Sequence, residues 1–403
     1  MAYSAHAERP RFDIADIVRR HRAELEASEN LTLPQRRVLS AIALCRTAAL
    51  GGHVDVCRSC GYMHPAYNSC RNRHCPKCQA LAQEKWIAAR AVRLVPVRHF
   101  HVVFTVPSEL RRLCQFRSQE MFHALFTAAS ETLAELGESR LQARLGITMV
   151  LHTWTRDLRF HPHVHALVTA GGLALDGSQW APSNAKYLFP VKVMGTLLRG
   201  KMLDALRTLH NQGSFEGFEA FSDPEGFDRL MAQLARTPWI VYAKKPFRRS
   251  DHVLKYLGRY THRVAIANSR LVNVTEQSVT FRTKNGESVT LAPAEFLRRF
   301  VQHVLPPGFH KIRHYGLYAA AHAETLDQAR EVLSPKRPTS ATADDSPKTT
   351  APMPSWQERL RILTGRDVAY CRRCGAALEH LPVPRSANLS GPSERAPPED
   401  LAV

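Results

Sequence analysis

Hydrophobic positions recur at helical spacing in several parts of the chain. The stretches DIADIVRRHRAEL and TLPQRRVLSAIALCRTAAL, within residues 11–50, both carry apolar side chains three and four residues apart, which places them on one face of a helix. The same pattern predicts helices over residues 79–95 and about 108–138, and mostly helical structure over 190–235. We therefore expect helices to form a large part of the fold.

Apolar runs of another kind predict strands between these helices. FHVVFTVP ends at a proline, and ITMVLHTWTRDLRFHPHVHALVTAGG contains two strand-like runs around a polar turn. WIVYAKKP predicts a short strand and RLVNVTEQSVTFRTKNGESVTL a meander, because both are rich in β-branched and aromatic residues. Helices mixed with antiparallel strands in this way predict an α+β protein.

Histidines at alternate positions distinguish one of these strands. In RFHPHVHALV, residues 159–168, the spacing of His161, His163 and His165 is two, so the three side chains share one face of a strand. Val164 and the apolar residues after it supply the buried side. A lone histidine on a strand is usually structural, whereas several that converge are typical of a metal or catalytic site.

We expect the strands on either side of Asp157–Leu158 to pair as a hairpin. In that register His152 lies opposite His163, and Trp154 lies opposite His161. Directly opposed residues share a face and have close Cβ atoms. The pairing therefore adds a histidine from the first strand to the histidine face of the second.

His152, His163 and His165 are the predicted ligands of a catalytic cation. Three convergent imidazoles leave other coordination positions for water and substrate, as a catalytic metal site requires. His161, which precedes Pro162, stays open as a supporting residue or an alternative third ligand. Imidazole ligands suit Mn²⁺ and availability favours Mg²⁺, so we expect one of these two ions.

A cysteine-rich block at residues 53–78 predicts a second metal site. Two CxxC turns separated by 14 residues offer four thiolates to one tetrahedral zinc ion, and the predicted ligands are Cys57, Cys60, Cys75 and Cys78. Three neighbours stay open as a second site or as replacements for one ligand: Cys70, His74 and His53. We expect a zinc-ribbon-like module here.

Composition narrows the class of protein. The 403 residues are 44% hydrophobic and carry 55 Lys and Arg against 36 Asp and Glu, a net charge of +19. This length suits two or three domains, and the charge favours nucleic acid as a partner. The polar start argues against a signal peptide, and no run of 18 apolar residues predicts a membrane span. We therefore expect a cytoplasmic, nucleoid-associated protein whose cysteines bind metal.

Positive charge is concentrated in two segments. Between residues 57 and 101 there are eight Lys or Arg and one acid, and between 236 and 270 there are nine and one. Such segments favour contacts with phosphates over a merely solvated basic surface. The candidate DNA-binding residues are Arg71, Arg73, Lys77, Lys244, Lys245, Lys255, Arg259 and Arg263.

Two tyrosines in the second basic segment, Tyr256 and Tyr260, lie four residues apart in YLGRYTHR. On a helix they share one face, and such a pair taken alone is more often part of a core. The surrounding basic residues favour a role on DNA instead. A tyrosine that attacks a phosphate forms a covalent phosphotyrosine, and two tyrosines permit a second cleavage while the first is occupied. Both are therefore predicted nucleophiles.

With these motifs the chain resembles the rolling-circle HUH transposases typified by insertion sequence 91, which carry an N-terminal zinc-binding domain. The resemblance covers residues 35–320 and rests on CRTAALGGHVDVCRSCG, YNSCRNRHCPKCQ, HVVFTVPSEL, LHTWTRDLRFHPHVHALV, YLGRYTHRVAIAN and HVLPPGFHKIRHYG. It implies cleavage and joining of single-stranded DNA. By this resemblance His163 and His165 match the family's His-hydrophobic-His metal pair. Tyr256 and Tyr260 match its two nucleophiles, and the two CxxC turns match its cysteines.

Two departures from the family pattern are visible. Family members often have Gly-Gln where this chain has Thr155–Arg156, and an arginine offers no acceptor that could replace a glutamine ligand. The hairpin argument for His152 does not depend on that glutamine. Cys371-x-x-Cys374 stands without a second CxxC nearby, so a complete zinc site in the C-terminal part is not expected.

These observations predict three parts. Residues 1–95 are helical and zinc-binding, and residues 96–320 form an HUH nuclease core, an antiparallel sheet flanked by helices, with a helical insertion at 190–235. Residues 321–403 are a largely disordered, basic and Pro-rich tail with a lone CxxC, including a linker at 334–355. The tyrosine helix is expected to lie across the metal-bearing strands.

The predicted function is transposition through a 5′-phosphotyrosine, with structural Zn²⁺ and catalytic Mg²⁺ or Mn²⁺. The predicted partners are single-stranded DNA at transposon ends and target DNA, and no oligomeric state follows from the sequence. Three alternatives stay open: a rolling-circle replication initiator or relaxase, a non-catalytic zinc-dependent DNA-binding regulator, and a zinc hydrolase. A covalent protein–DNA adduct distinguishes the nucleases from the other two.

Overall fold

The computed structural model describes residues 10–247, 258, 264–283, 286–334, 355–365 and 367–385. The helices there are α1 (Ile14–Ser28), α2 (Leu33–Leu44), α3 (Ala80–Ala91), α4 (Arg111–Phe116), α5 (Ser118–Leu141), α6 (Val191–Asn211), α7 (Gly226–Arg236), α8 (Pro293–Val301), α9 (Ala323–Leu333) and α10 (Trp356–Thr364). The strands are β1 (Gly52–Val56), β2 (Met63–Tyr67), β3 (His99–Thr105), β4 (Ala143–Trp154), β5 (Phe160–Ala174), β6 (Trp180–Pro182), β7 (Val241–Phe247), β8 (Leu271–Val274), β9 (Val279–Arg282), β10 (Ser288–Leu291), β11 (Ile312–Gly316) and β12 (Glu379–Val383). This mixture of helices and antiparallel sheets confirms the predicted α+β class.

Most predicted elements are present in the described residues. The predicted helix at 108–138 is divided into α4 and α5 at Arg117, whose φ of −123° is not helical. The predicted tyrosine helix and the linker at 334–355 lie almost wholly outside the described residues. No helix in the part of the chain that the structure describes is long and apolar enough to cross a membrane.

The first of two compact units comprises the described residues 10–85, 264–301 and 355–385. Helix α1 begins where the Asp13 carboxylate accepts a hydrogen bond from the backbone N–H of Ala15. Helix α2 begins with a capping box between Thr32 and Gln35, which satisfies amides that have no partner inside the helix. Helix α1 packs against α2 and α8, so buried apolar faces hold these sequence-distant segments together.

Two three-stranded antiparallel sheets complete the first unit, with strand orders β12-β1-β2 and β10-β9-β8. The second is the predicted meander. The first joins the start of the chain to its C-terminal part, because β12 pairs with β1 in the register Asp55↔His380. Within residues 321–403, for which the sequence predicts a largely disordered tail, the structure places α9, α10 and β12, and β12 pairs with a strand of the N-terminal sheet.

The second unit comprises the described residues 86–247, 258 and 302–334. Its six-stranded antiparallel sheet has the order β11-β4-β5-β3-β7, with β6 paired to β5. Side chains alternate between the two faces of each strand. Val164 and Val168 of β5 are buried in an apolar core, and α5 packs against β4 and β5. His163 and His165 therefore lie on the opposite face.

Acid should destabilise the second unit through two buried histidines. His99 and His303 are both 0% exposed, and burial lowers the pKa of each to about 4. An unfolded histidine has a pKa of about 6.5, so the unfolded chain takes up protons that the folded unit cannot bind until near pH 4. The free energy of unfolding of the second unit is therefore highest above pH ~6.5 and decreases as the pH falls. The decrease is on the order of 3 kcal/mol for each histidine by pH ~4.

Urea unfolding at several pH values between 7 and 4.5 tests this expectation. The imidazole of His303 donates to the carbonyl of Leu158 and accepts from the hydroxyl of Thr153, both at 3.2 Å. His303→Gln keeps a donor and an acceptor but cannot titrate, so this variant should lose less stability on acidification than the wild type. Equal losses in both proteins would contradict the assignment.

Candidate functional site

The histidine hairpin forms with the predicted register at its central pair. His152 on β4 lies opposite His163 on β5, as expected. The pairing is irregular beyond that point, and Trp154 lies opposite Phe160 rather than the predicted His161. The extra residue that this irregularity inserts on β5 shifts His161 out of the ladder. The structure thus adds the nitrogen of His152 to those of His163 and His165, whereas the His161 ring, 5.7 Å from that of His163, is not part of this convergent set.

The histidine cluster consists of His152, His163 and His165. The ring centroids of His152 and His165 are 4.3 Å apart, those of His163 and His165 4.9 Å, and those of His152 and His163 5.5 Å. One nitrogen from each ring lies within 4.8 Å of the other two. Imidazole nitrogens bind transition-metal ions at about 2.0–2.1 Å, so these three nitrogens fit around one cation after small side-chain movements.

Burial favours the neutral form of His163 and His165. His152 and His165 are 2% and 9% exposed. Burial lowers the pKa of His163 to about 4, although the hydrogen bond to the His161 backbone raises it. Burial also holds the pKa of His165 well below its ordinary value, and the nearby His163, His101 and Lys244 act in the same direction. A neutral imidazole is the form that binds a metal ion, so burial favours the form of His163 and His165 that a cation requires.

Two rings of the histidine cluster are oriented by further hydrogen bonds. Nε2 of His101 lies 2.8 Å from Nδ1 of His165, and the two rings are nearly parallel. Nδ1 of His163 donates to the backbone carbonyl of His161 at 2.7 Å. With Nδ1 engaged in each ring, Nε2 of His163 and of His165 is the nitrogen left for a cation. The backbone carbonyl of His161 thus orients His163, and the His161 ring lies 5.7 Å from the His163 ring.

His101 was not predicted, although the sequence carried a signal for it. His99 and His101 alternate in HFHVVFT, which is the same spacing of two that identified the histidines of β5. Strand β3 lies beside β5 with Val103 opposite His165, and this adjacency brings His101 to the same face. The pairing of β3 with β5 is a tertiary fact that the local pattern does not contain.

The cysteines form two clusters of four. The first contains Cys45, Cys70, Cys75 and Cys78, and the second contains Cys57, Cys60, Cys371 and Cys374. Sulfur–sulfur distances in the first include 3.2 Å between Cys45 and Cys78, and in the second 3.4 Å between Cys57 and Cys374. All the cysteines are free thiols. Four sulfurs about 2.3 Å from a zinc ion lie roughly 3.8 Å from one another, so both clusters fit tetrahedral zinc.

The prediction of one zinc ion held by Cys57, Cys60, Cys75 and Cys78 is therefore corrected. The β1–β2 hairpin separates the two CxxC turns, because Cys57 and Cys60 lie in the loop that joins the strands. Cys45 precedes β1 and Cys70 follows β2, so this pair lies at the other end of the hairpin, where Arg46 N–H donates to the Asn68 carbonyl. Five-residue strands span about 15 Å, which is too far for one ion.

Strand β12 supplies the second cluster's missing pair. It places the Cys371–Cys374 turn beside the Cys57–Cys60 turn, and both turns are closed in the same way. Gly61 N–H donates to the Cys57 carbonyl, and Gly375 N–H donates to the Cys371 carbonyl. The expectation that Cys371 and Cys374 lack a complete site is thereby contradicted.

The three neighbouring residues that the sequence left open, Cys70, His74 and His53, lie in different surroundings. Cys70 joins the first cysteine cluster, whereas the ring of His74 lies 3.1 Å from the side-chain oxygen of Asn72. His53 forms a group with Asp55 and His380, in which Nδ1 of His380 lies 2.7 Å from Oδ1 of Asp55. Cysteine count offered a signal for the correct grouping: eight of the nine cysteines make two sets of four, and Cys114 is left in an apolar core.

The predicted DNA-binding residues are in different environments. Arg71 is exposed and Arg73 is half-buried, while Lys77 forms an ion pair with Asp13 at 2.6 Å, which compensates its charge. Lys244 is exposed and lies opposite His101 on β7. The DNA-binding candidates Lys255, Arg259 and Arg263 lie outside the described residues, and the side chain of Lys245 is not described. The predicted nucleophiles Tyr256 and Tyr260 also lie outside the described residues.

Two family models match the chain. Residues 146–325 match a model described as "Putative transposase", and residues 17–106 match one described as "Transposase zinc-binding domain". The first match contains the whole histidine cluster. The residues that match the zinc-binding model include all of the first cysteine cluster and half of the second. This match supports Zn²⁺ as the bound ion.

Two relatives are similar over most of the chain. The "Putative transposase y4qJ" of Sinorhizobium fredii is 40% identical over 375 residues, which cover 90% of this chain and 92% of the relative. The "Transposase for insertion sequence element IS801" of Pseudomonas savastanoi pv. phaseolicola is 31% identical over 345 residues, which cover 83% of this chain and 80% of the relative. No solved structure matches the chain.

Proposed function

Because the chain belongs to the insertion sequence 91 family of transposases, we propose that it cleaves and rejoins single-stranded DNA at the ends of a mobile element through a tyrosine–DNA bond. The observation that carries this proposal is the convergence of His152, His163 and His165 from two paired strands. Three imidazoles that converge on one face of a sheet suit a cation that acts on a phosphate. The reaction would be rolling-circle transposition by an HUH-type nuclease.

The proposed nucleophile is the phenol of Tyr256 or Tyr260. Its oxygen attacks the scissile phosphorus and forms a new O–P bond as the phenol proton is given up. The bond from phosphorus to the 3′-oxygen of the preceding nucleotide breaks, and that oxygen takes up a proton. The products are a 5′-phosphotyrosine and a free 3′-hydroxyl. Attack by a second 3′-hydroxyl on the phosphotyrosine reverses these changes, so the strand is rejoined and the tyrosine is released.

The histidines assist this exchange by holding a cation. His152, His163 and His165 would hold a Mg²⁺ or Mn²⁺ ion, which would supply electrostatic stabilisation to the phosphate oxygens. His101 positions His165 through their 2.8 Å hydrogen bond, and the backbone of His161 positions His163. The zinc-binding unit and the basic residues around it are proposed to hold the DNA, including Arg71 and Arg73. Element ends and target DNA, within the nucleoid, are the proposed partners.

Labelled DNA tests the proposed chemistry and its polarity. Single-stranded oligonucleotides from each end of the element are incubated with the protein and Mn²⁺ and then separated on a denaturing gel. Since the tyrosine keeps the 5′-phosphate, a label at the 3′ end of the DNA should migrate with the protein, and a label at the 5′ end should not. Tyr256→Phe with Tyr260→Phe should lose the adduct completely, because no phenol oxygen is left to attack.

A third tyrosine serves as the control. Tyr187 is 53% exposed in the loop before α6, and Tyr187→Phe should leave the adduct unchanged. An adduct that persists in the double variant, or that carries the 5′ label, would refute the proposed chemistry. So would a wild-type protein that never retains label from either end, which is the result expected of a non-catalytic DNA-binding regulator or a zinc hydrolase.

A further inference from the structure

A pocket on the histidine face of the second unit contains two arginines. Its lining includes Trp86, Arg90, Arg93, Thr148, Leu167 and His314. Thr148 and Leu167 are paired on β4 and β5, and Leu167 follows His165 by two residues on the same face of β5. At about 3.3 Å per residue, the arginine pocket lies roughly 7 Å along β5 from His165.

His314 joins one arginine to the sheet. Nη1 of Arg90 donates to Nε2 of His314 at 3.2 Å, and Nδ1 of His314 donates to the hydroxyl of Thr148 at 3.0 Å. Burial, and then the positive charges of Arg90 and Arg93, lower the pKa of His314 to about 4. His314 is therefore neutral and does not add a third positive charge. Its two hydrogen bonds hold the Arg90 side chain against the sheet.

The two guanidinium groups lack anionic partners in the described part of the chain. Nε of Arg90 and both Nε and Nη2 of Arg93 are shielded from solvent and have no hydrogen-bond acceptor there. An arginine cannot lose its charge in a protein, and burying a charged donor without an acceptor is costly. Burial and the charge of Arg93 lower the pKa of Arg90, as expected of two neighbouring cations. The groups that would complete this pocket are the oxygens of an anion.

From this geometry we infer that the arginine pocket binds a backbone phosphate of the single-stranded DNA substrate, one or two nucleotides from the phosphate at the histidine cluster. Guanidinium groups match phosphate oxygens in charge and hydrogen-bonding geometry. The cavity measures about 10 Å³, which is room for roughly one water-sized atom. One phosphate oxygen can therefore enter, while the rest of the phosphate stays at the mouth.

The distance between the two sites supports DNA as the source of the phosphate. Successive phosphates of one strand are about 3.4 Å apart along a duplex axis and farther apart when the strand is extended, so ~7 Å is covered within two nucleotides. A phosphate held at the arginine pocket would fix the position of its neighbour at the histidine cluster. This inference rests on the proposed function for the direction of the strand, but the anion site itself does not depend on the tyrosine chemistry.

The salt dependence of DNA binding tests the inference. Affinity of a fluorescein-labelled single-stranded oligonucleotide is measured by anisotropy at several salt concentrations for the wild type and for Arg90→Gln/Arg93→Gln. Each phosphate contact contributes about 0.7 to the slope of log K against log salt for single strands. The variant should bind more weakly and lose about that amount of slope. Arg93→Gln alone leaves the hydrogen bond between Arg90 and His314 intact. This single variant replaces the double variant in the test if the double variant does not fold.

A matched variant removes the same charge elsewhere. Arg140 on α5 and Arg207 on α6 are both exposed, and Arg140→Gln/Arg207→Gln should keep the wild-type slope. In a second arm, inorganic phosphate replaces chloride at constant ionic strength during thermal unfolding. Phosphate should raise the Tm of the wild type and of the matched variant, and should raise that of the pocket variant less, because ligands that bind only the folded state stabilise it.

The outcomes separate this inference from the proposed function. An unchanged slope in the pocket variants would overturn the inference, whether or not a tyrosine adduct forms. If phosphate shifts the wild-type Tm but the slope does not change, the pocket takes free phosphate and the DNA assignment is wrong. A reduced slope in a protein that forms no tyrosine adduct would support the pocket and refute the proposed chemistry alone.

Discussion

Replacing His165 with alanine should remove Mn²⁺ binding and abolish formation of the DNA adduct. His165 is central to the histidine cluster, since its ring lies closer to those of His152 and His163 than those two lie to each other. Loss of a residue that only supports a metal ligand costs about 10- to 100-fold in affinity, so loss of a ligand should cost at least about 100-fold. Removing charge stabilisation at a reacting group costs about 10²- to 10³-fold in rate, and adduct formation should fall by at least that factor.

Calorimetric titration with MnCl₂, in parallel with the gel assay, measures both effects. His161→Ala is the matched control, because this residue lies on the same strand but its ring is not among the three whose nitrogens converge, and the variant keeps the backbone carbonyl that accepts from His163. It should keep both Mn²⁺ affinity and adduct formation. His101→Gln should fall between the two, with a loss of about 10- to 100-fold in Mn²⁺ affinity. Normal Mn²⁺ binding by His165→Ala, or an equal loss in His161→Ala, would contradict the assignment of ligands.

The purified protein should contain two zinc ions per chain, and the C-terminal cysteines should hold one of them. Cys371→Ser with Cys374→Ser removes half of the second cysteine cluster and should reduce the zinc content from two to one. Structural zinc contributes roughly 10–16 kcal/mol of apparent binding energy in small zinc domains, so the first unit should also lose several kcal/mol of stability. Elemental analysis and thermal unfolding measure the two consequences.

Pairs of variants distinguish two ions from one. If the clusters are separate, Cys57→Ser and Cys75→Ser should each lose a different ion, and the protein carrying both should contain none. If Cys57, Cys60, Cys75 and Cys78 held a single ion, each single variant would already lose the whole zinc content and the C-terminal variant would lose nothing. Cys114→Ala is the control, because this thiol is 1% exposed in the apolar core of the second unit and should not affect zinc.

Local sequence patterns predicted most of the helices and strands and part of the candidate site. Alternation along β5 placed His163 and His165 on one face and Val164 on the other, and the structure agrees. The hairpin register at His152 followed from the short turn between two adjacent strands. The position of Trp154 did not, because an irregularity in the ladder depends on how both strands pack and not on either strand's own pattern.

Contacts between distant segments decided what the local patterns left open. Cys371 and Cys374 reach Cys57 and Cys60 only because β12 pairs with β1, across more than 300 residues of sequence. His101 reaches His165 because β3 lies beside β5. Arg90 and Arg93 were counted among the basic residues, but their shielded and unpartnered nitrogens are visible only when α3 and the sheet are placed together.

The sequence by itself determined the types of chemistry: imidazoles at strand spacing, thiols in CxxC turns, and a basic chain suited to DNA. Spacing of this kind is local, so it follows from the dihedral angles of one strand or one turn. The tertiary structure alone decided which of these groups share an ion, because a ligand set is defined by distances in space. Those distances are set by strand pairing and by buried apolar faces that join parts of the chain far apart in sequence.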